Sequence, residues 1–436
     1  MIAEPLAAKP SLSAALRRIL ASNQMASWAG QGLVSAANFV VLIVLARFAG
    51  AAELGYYAVA FSVLVIAIVT QDSLVTKPYA IQLFKPPGEP ATHAYGALVF
   101  GFLISIAIAL CLAAAGAVMH QLGSDAKLAN LFLILAVVTP LALTRDFARR
   151  FSFAHMRMQQ GFALDAAASA MLMILIALLA WRGMLNAGTA LAAIGAAGAF
   201  SALGWFWFSH GYFTKNPGTT RQTARQSWSF GKWLLSSQIA LQVQGYAAHW
   251  LTLLVAGATA TGLYSACLSI VGLANPFLFG LFNMLTPKFV RVLKDEGEAG
   301  LRRAAFRDSL LIGVIMGGFA LVLMASGSLI MRMLFPGEGF EGGTGVLSIL
   351  ALSSAVSALG APATIALSVA ERGRMIAGLS VGICIVGSLA VWLLLLQWGL
   401  TGAAIGILIT ELLGTMARWA LFLSGNRITR VRMDLE

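Results

Sequence analysis

Residues Ala49 to Ser62 read AGAAELGYYAVAFS, and residues Ala256 to Ser269 read AGATATGLYSACLS: six identities in fourteen positions at an offset of 207 residues. Each copy lies at a short Ala-Gly-Ala turn between two long apolar runs, so the repeat marks the same hairpin in two halves of one chain. An offset that spans six apolar runs leaves both halves with the same orientation. The implied symmetry axis therefore lies along the membrane normal.

Outward from the two hairpins, apolar runs of about 20 residues recur, each long enough at about 1.5 Å per residue to cross a hydrocarbon core of about 30 Å. In the first half they run from Met25 to Ala46, Gly55 to Thr76, Ala94 to Val118, Leu128 to Thr144, Phe162 to Trp181 and Ala187 to Ser209. In the second half they run from Trp233 to Ala256, Thr261 to Thr286, Ser309 to Met331, Gly345 to Ala370, Ile376 to Trp398 and Thr401 to Leu423. Backbone groups in hydrocarbon must be paired within their own segment, so these are helices. The expected fold is an all-α integral membrane protein of about twelve transmembrane helices in two pseudo-symmetric six-helix bundles. The expected division is residues 1–24 as a cytoplasmic amphipathic N-terminus, 25–209 and 233–423 as the bundles, 210–232 as a cytoplasmic linker and 424–436 as a cytoplasmic tail.

Composition agrees. Of 436 residues, 59% are hydrophobic and 11% charged, with a mean hydropathy of +0.85, whereas soluble domains carry about 25% charged residues. Of the 29 Lys and Arg, 25 fall on alternate segments; the opposite side holds only Arg47, Lys127, Arg182 and Arg332. Basic residues resist translocation, so both termini are expected in the cytoplasm. The net charge of +12 is then topology rather than a nucleic-acid surface. The first twenty residues lack a signal peptide's apolar stretch and cleavage site, so the first span is expected to act as an uncleaved anchor. Ser11 to Leu20 is expected as an amphipathic helix on the anionic leaflet, or else a solvated tail. Cys111, Cys267 and Cys384 fall inside spans without metal-ligand spacing and read as packing residues.

Polar residues inside spans point to function or to interhelical hydrogen bonds. Gln31, Ser35 and Asn38 share one face of the first helix. The 207-residue offset maps them to Gln238, Gln242 and Gly245, a stripe that continues to His249 and Thr252. Amides facing lipid cost free energy, so both stripes, with Asn275, are candidates to line a central cavity; the alternative is hydrogen bonding inside a packed bundle. Asp72 and Lys77 are expected at a hydrated helix end, with a transport role as the alternative. Arg145, Asp146, Arg149 and Arg150 close the fourth span, and Arg157 and Asp165 flank the fifth. Asp72, Lys77, Arg145 and Arg149 are thus candidates for a phosphate or ion at the cytoplasmic rim, although the positive-inside rule alone also puts arginines there. Glu411, midway along the last span, reads either as a cation site or as a hydrogen-bonded structural acid.

Pro140, Pro276 and Pro362 interrupt spans, and the pairs Gly378/Gly382 and Gly402/Gly406 suit close helix packing. The chain has no G-x-x-x-x-G-K-[ST] loop and no H-E-x-x-H site, which argues against ATP use by that route and against that class of metalloenzyme. No metal site and no cofactor are expected. The periplasmic loops are expected to be short, which disfavours a polymerase or ligase.

The stretch Asn38 to Ser62, with Leu45-Ala46-Arg47-Phe48-Ala49-Gly50 and Glu53-Leu54-Gly55-Tyr56-Tyr57, resembles the first hairpin of bacterial O-antigen and exopolysaccharide flippases. These belong to the multidrug, oligosaccharidyl-lipid and polysaccharide exporter superfamily. The resemblance implies a V-shaped pair of six-helix bundles around an alternately opening cavity in the bacterial inner membrane. It implies as cargo a polyprenyl-pyrophosphate-linked oligosaccharide, with membrane lipid, polysaccharide assembly proteins and a coupling ion, H+ or Na+, as partners. Two alternatives stand beside it: a cation-coupled drug antiporter of the same superfamily, which typically carries an acid in its first helix where this chain has none, and a scaffold of a polysaccharide synthase.

Overall fold

The computed structural model describes residues 23–83, 90–213, 217–337, 339–340, 342–370 and 372–424. The expected N-terminal amphipathic segment and C-terminal tail lie outside these residues. Among the described residues all regular structure is helical, and nine continuous runs are long and apolar enough to span a membrane. One run is broken twice, at Gly257 and Gly297, and the last is broken once, at Trp398 and Gly399. The breaks divide one run into three and another into two, so the crossings number twelve.

In chain order they are α1 Asn23–Ala49, α2 Ala51–Gln82, α3 Pro90–Gln121, α4 Ala126–Ala154, α5 Met158–Trp181 and α6 Ala187–Ser209. The second half holds α7 (217–256), α8 (258–296), α9 (298–334), α10 Gly343–Val369, α11 (373–397) and α12 (400–424). A turn of 3-10 helix, Gly272–Ala274, interrupts α8 just before Pro276. Residues 217–232, expected in the linker between halves, are helical.

Two boundaries matter for the site. The apolar stretch of α4 ends at Thr144, but the helix continues to Ala154. Arginine is a good helix former, so charge ends the lipid-facing run without ending the helix. In α2 the α-helix passes into a π-helical turn, Asp72–Thr76, before resuming. One extra residue in that turn re-aims the side chains around it, a device found often at functional sites.

The described chain packs as two compact units. The first contains α1 up to Val41 and Ala60–Ile239; the second contains Leu42–Val59 and the chain from Ala240. The tip of the α1–α2 hairpin therefore belongs to the second unit, and the start of α7 to the first.

The first unit has an aromatic core at the basic-rich end of its helices. Phe147 and Phe151 of α4 meet Trp205 of α6 edge-on, at ring separations of 6.4 and 5.5 Å, and Tyr79 stacks on Phe151 at 5.6 Å. The carbonyl of Leu143 accepts from the Gln71 amide at 2.8 Å, which ties α2 to α4 close to Pro140.

In the second unit the two repeat hairpins pack on each other. A Cβ at Gly55 would stand 2.0 Å from the Ala258 carbonyl oxygen, and one at Gly262 would stand 1.8 Å from that of Ala51. Gly55 and Gly262 are repeat partners, as are Ala51 and Ala258, so this contact is reciprocal, as a twofold relation demands. The turn glycines Gly50 and Gly257 share the left-handed conformation, at φ +88° and +83°. The repeat thus extends from letters to backbone.

Gly402 and Gly406 press against Leu394 and Val391 in the α11–α12 hairpin, whereas a Cβ at Gly378 or Gly382 would meet nothing within 4 Å. Of these two G-x-x-x-G pairs, Gly402/Gly406 mediates close packing and Gly378/Gly382 does not. Near Pro362 the Leu359 carbonyl accepts from Ser309 Oγ at 2.8 Å and Trp419 Nε1 at 3.0 Å. Pro140 and Pro362, expected to interrupt their spans, lie inside continuous helices, and beside Pro362 side chains of two neighbouring helices bond the backbone.

Candidate functional site: a charged network in the first unit

The continuation of α4 past its apolar run places Arg145, Arg149 and, one residue on, Arg150 along a helix whose next neighbour, α5, brings an acid near its start. That acid, Asp165, is fully buried and is gripped from both sides. Arg145 Nη2 donates to its Oδ1 at 2.5 Å and Arg149 Nε to its Oδ2 at 2.8 Å. The second arginine reaches further: Arg149 Nη2 donates to Gln31 Oε1 on α1 at 2.9 Å. Gly30 gives the carboxylate its room, since a Cβ there would stand 2.8 Å from Asp165 Oδ2. Two guanidiniums against one carboxylate leave an excess of one positive charge, and Arg145 Nε is buried with no hydrogen-bond partner.

A second, neutral set lies on the other side of α4. Arg150 bridges Asp146 at 2.6 Å and Asp72 at 2.8 Å, and Lys77 pairs with Asp72 at 3.0 Å. Thr76 Oγ1 donates to Asp72 Oδ1 at 2.8 Å. The expectation of a hydrated Asp72 is corrected: at 6% exposure it is enclosed, because the π-turn swings it toward α4 and Arg150 compensates its charge. An ion pair removed from water needs such matched partners.

The α1 stripe has a distinctive setting. Gly30, Ala37 and Val41 are buried. On one side of them Leu33, Ala36 and Val40 are exposed and apolar; on the other, Gln31 and Ser35 are exposed and Asn38 is half-buried. One open face suits lipid and the other suits water, since unpaired amides and hydroxyls in hydrocarbon are costly.

The α7 stripe is different. Gln238 and Gln242 are half-buried, but His249 is 5% exposed, enclosed by the rings of Tyr246 and Tyr264 at 5.6 and 4.8 Å. His249 Nδ1 and Thr252 Oγ1, one turn apart, are buried without hydrogen-bond partners. Asn275 is exposed at the start of the helix that follows the 3-10 turn. Glu411 lies 3.9 Å from Arg418 on its own helix. Among the described residues no group of three or more His, Cys, Asp or Glu could hold a metal ion.

Of the rim residues singled out from sequence, Arg145 and Arg149 meet on Asp165, and Asp72 and Lys77 meet each other. Sequence reasoning missed the grip of Asp165 on both arginines, the bridging role of Arg150 and the space left by Gly30. The available signal was the i, i+4 spacing of Arg145 and Arg149, which faces them the same way.

The family described as polysaccharide biosynthesis protein matches residues 20–293 of the chain. No curated protein matches it. Among solved structures it is similar to an inward-facing multidrug resistance MATE family transporter of the MOP superfamily, at 12% identity and TM-score 0.66 over 92% of this chain and 94% of that one. A eukaryotic MATE transporter aligns at 16% identity and TM-score 0.60 over 93% and 94%. A MOP superfamily transporter from Pyrococcus furiosus aligns at 12% identity and TM-score 0.59 over 94% of both chains. At these identities the likeness speaks to fold, while the match over more than half the chain speaks to kinship: this multi-pass membrane protein belongs to the polysaccharide biosynthesis protein family, with the twelve-helix fold of MOP superfamily transporters.

Proposed function

We propose that this transporter is a flippase of the bacterial inner membrane that moves a polyprenyl-pyrophosphate-linked oligosaccharide outward for surface polysaccharide assembly. The observation that carries this reading is the hydrogen bond from Arg149 to Gln31, which links the open polar face of α1 to a cluster with two guanidiniums and one carboxylate. A sugar-pyrophosphate cannot enter hydrocarbon unaided, because isolated charges cost many kcal/mol there. A polar helix face beside surplus guanidinium suits it, since the planar fork of arginine matches phosphate oxygens. Gln31, Ser35, Asn38, Gln238, Gln242, His249 and Asn275 are proposed to line the path. No catalytic step is needed. H+ or Na+ is the proposed coupling ion, and polysaccharide assembly proteins act downstream.

The antiporter alternative is less well supported. Such a protein needs an acid free to exchange a cation near α1, and the acid beside Gly30 is already held by two arginines. A scaffold would have no use for the open polar face of α1.

Deletion of the gene tests the proposal. Surface polysaccharide should be lost and lipid-linked repeat units should accumulate on the cytoplasmic face. Unchanged polysaccharide together with sensitivity to cationic drugs would favour the antiporter.

A further inference from the structure

Among the described residues four acids are buried, Asp72, Asp146, Asp165 and Asp308. Each stands within 3.0 Å of a lysine or arginine nitrogen. Glu411, in the second unit, is set differently. Its ion pair with Arg418 Nη1 spans 3.9 Å, beyond hydrogen-bond reach, and its Oε2 is buried with no hydrogen-bond partner. The rise from Thr401 to Glu411 is about 15 Å, half of a hydrocarbon core of about 30 Å. The acid therefore stands at mid-membrane, where acids are rare and tend to be functional.

Its place on α12 faces protein. Leu412, Leu413 and Met416 are exposed and apolar, whereas Glu411 falls on the row of Thr415 and Trp419, which bond the Val356 and Leu359 carbonyls of α10 at 2.9 and 3.0 Å. The adjoining row, Gly406, Thr410 and Gly414, meets Val391, Gly387 and Ile383 of α11. Glu411 lies between the two rows, in the wedge of α10 and α11. Arg418 is turned into the same wedge. It sits about 10 Å nearer the basic-rich end of α12, from where an arginine can reach the interface, yet its guanidinium points back to Glu411. Gly360 and Gly414 give it room, since a Cβ on them would stand 3.1 Å from Nη1 and 3.6 Å from Nη2.

The helices around this pair bring little other charge. α10, Gly343–Val369, has no titratable residue, and α11 has only Cys384 within its span and Arg374 in its first turn. On α9, which reaches α12 at Trp419, Asp308 is held by Lys288 and Arg307 lies 3.9 Å from that same acid. Glu411 thus has one charged neighbour, and that neighbour leaves its Oε2 unbonded.

We propose that Glu411 carries the coupling proton of this transporter, taking H+ on Oε2 from periplasmic water and returning it to cytoplasmic water, with no other bond made or broken. Arg418 balances the carboxylate while the proton is off. A guanidinium 3.9 Å away opposes a metal cation such as Na+, and the hydroxyls of Thr410 and Thr415 already donate to carbonyls. A proton needs one lone pair and no shell of ligands. The inference rests on the reading of the chain as an outward flippase and names the ion that drives it.

Two measurements test it. In proteoliposomes holding the full chain and a sugar-labelled polyprenyl-pyrophosphate oligosaccharide, a pH gradient should enrich the label in the leaflet facing the acidic side, by up to about tenfold per pH unit at one proton per cargo. Glu411→Gln should lose that enrichment while melting like the native chain, and Glu411→Asp, which keeps the carboxyl, should retain it. Separately, infrared spectra on acidification should show a protonated-carboxyl band in the native chain that is missing from Glu411→Gln. Native enrichment in Glu411→Gln would overturn the proposal, as would enrichment that follows a Na+ gradient instead, or a Glu411→Gln chain that no longer folds, which would make the pair structural. If the native protein moves no label, the flippase reading fails and the infrared band decides Glu411 alone: present, the residue stands as a proton site; absent, the proposal falls.

Discussion

Asp165→Asn is the sharpest perturbation of the first unit. In the native arrangement one buried carboxylate accepts from Arg145 at 2.5 Å and from Arg149 at 2.8 Å. Asparagine keeps one acceptor but turns an amide donor toward a guanidinium, so one arginine is left facing like polarity. Removing one partner of a buried ion pair costs about 3–5 kcal/mol. Here the arginine side chains keep 21% and 15% exposure, so water can reach part of the uncovered charge and the cost should fall near the lower end, about 3 kcal/mol. Reversible unfolding of the purified protein in detergent, run as a cycle with Arg149→Gln, measures it. Arg149→Gln alone should cost less, because Asp165 keeps Arg145. The double variant should be more stable than the sum of the single effects by at least about 1 kcal/mol, the coupling expected for residues in one network. A vanishing coupling would refute the account of Asp165 as an anchor for the two arginines. Native stability in Asp165→Asn with export abolished would refute it too, and would make the carboxylate an ion carrier.

Other outcomes follow from the same geometry. Gly55→Ala and Gly262→Ala should each lower thermal stability, by about 1–3 kcal/mol of overpacking, because their Cβ atoms would strike carbonyl oxygens of the facing hairpin; Gly378→Ala, with open space, should melt like the native chain. Arg150→Gln should destabilise more than Lys77→Gln in the same melt, since Arg150 serves both Asp146 and Asp72, whereas Lys77 serves Asp72. Ser35→Leu with Asn38→Leu should leave the protein's membrane abundance intact and reduce polysaccharide export in a complementation assay; normal export would show that the polar face of α1 is not in the path.

The crossings were legible because the need to bury backbone polar groups in hydrocarbon makes each span a long apolar run. The repeat was legible because its turn demands glycine: Gly50 and Gly257 adopt the same left-handed backbone. The identity of Gly55 and Gly262 across the repeat was visible too, though only their mutual packing shows why a side chain is excluded. What the letters could not reveal is where charges end up relative to one another. Asp72 looked solvated because Lys77 follows it, yet a π-turn and an arginine on another helix enclose it. Asp165 and Arg145 lie 20 residues apart, and only the turn between α4 and α5 brings them together. His249 continued a polar stripe in sequence, but two tyrosine rings shield it: Tyr246, one turn back on α7, and Tyr264, which only the path of α8 brings there.

The central claim, that this chain carries a lipid-linked oligosaccharide across the bilayer, is tested most directly by reconstitution. Purified protein in proteoliposomes would be given a polyprenyl-pyrophosphate oligosaccharide labelled on its sugar, and the label reachable by an impermeant enzyme would be followed in time. The account predicts that vesicles with the protein expose the inner-leaflet pool far faster than empty vesicles. It also predicts that the Ser35→Leu/Asn38→Leu variant, folded and inserted, falls back toward the empty-vesicle rate. Equal rates with and without the native protein, under both H+ and Na+ gradients, would contradict it.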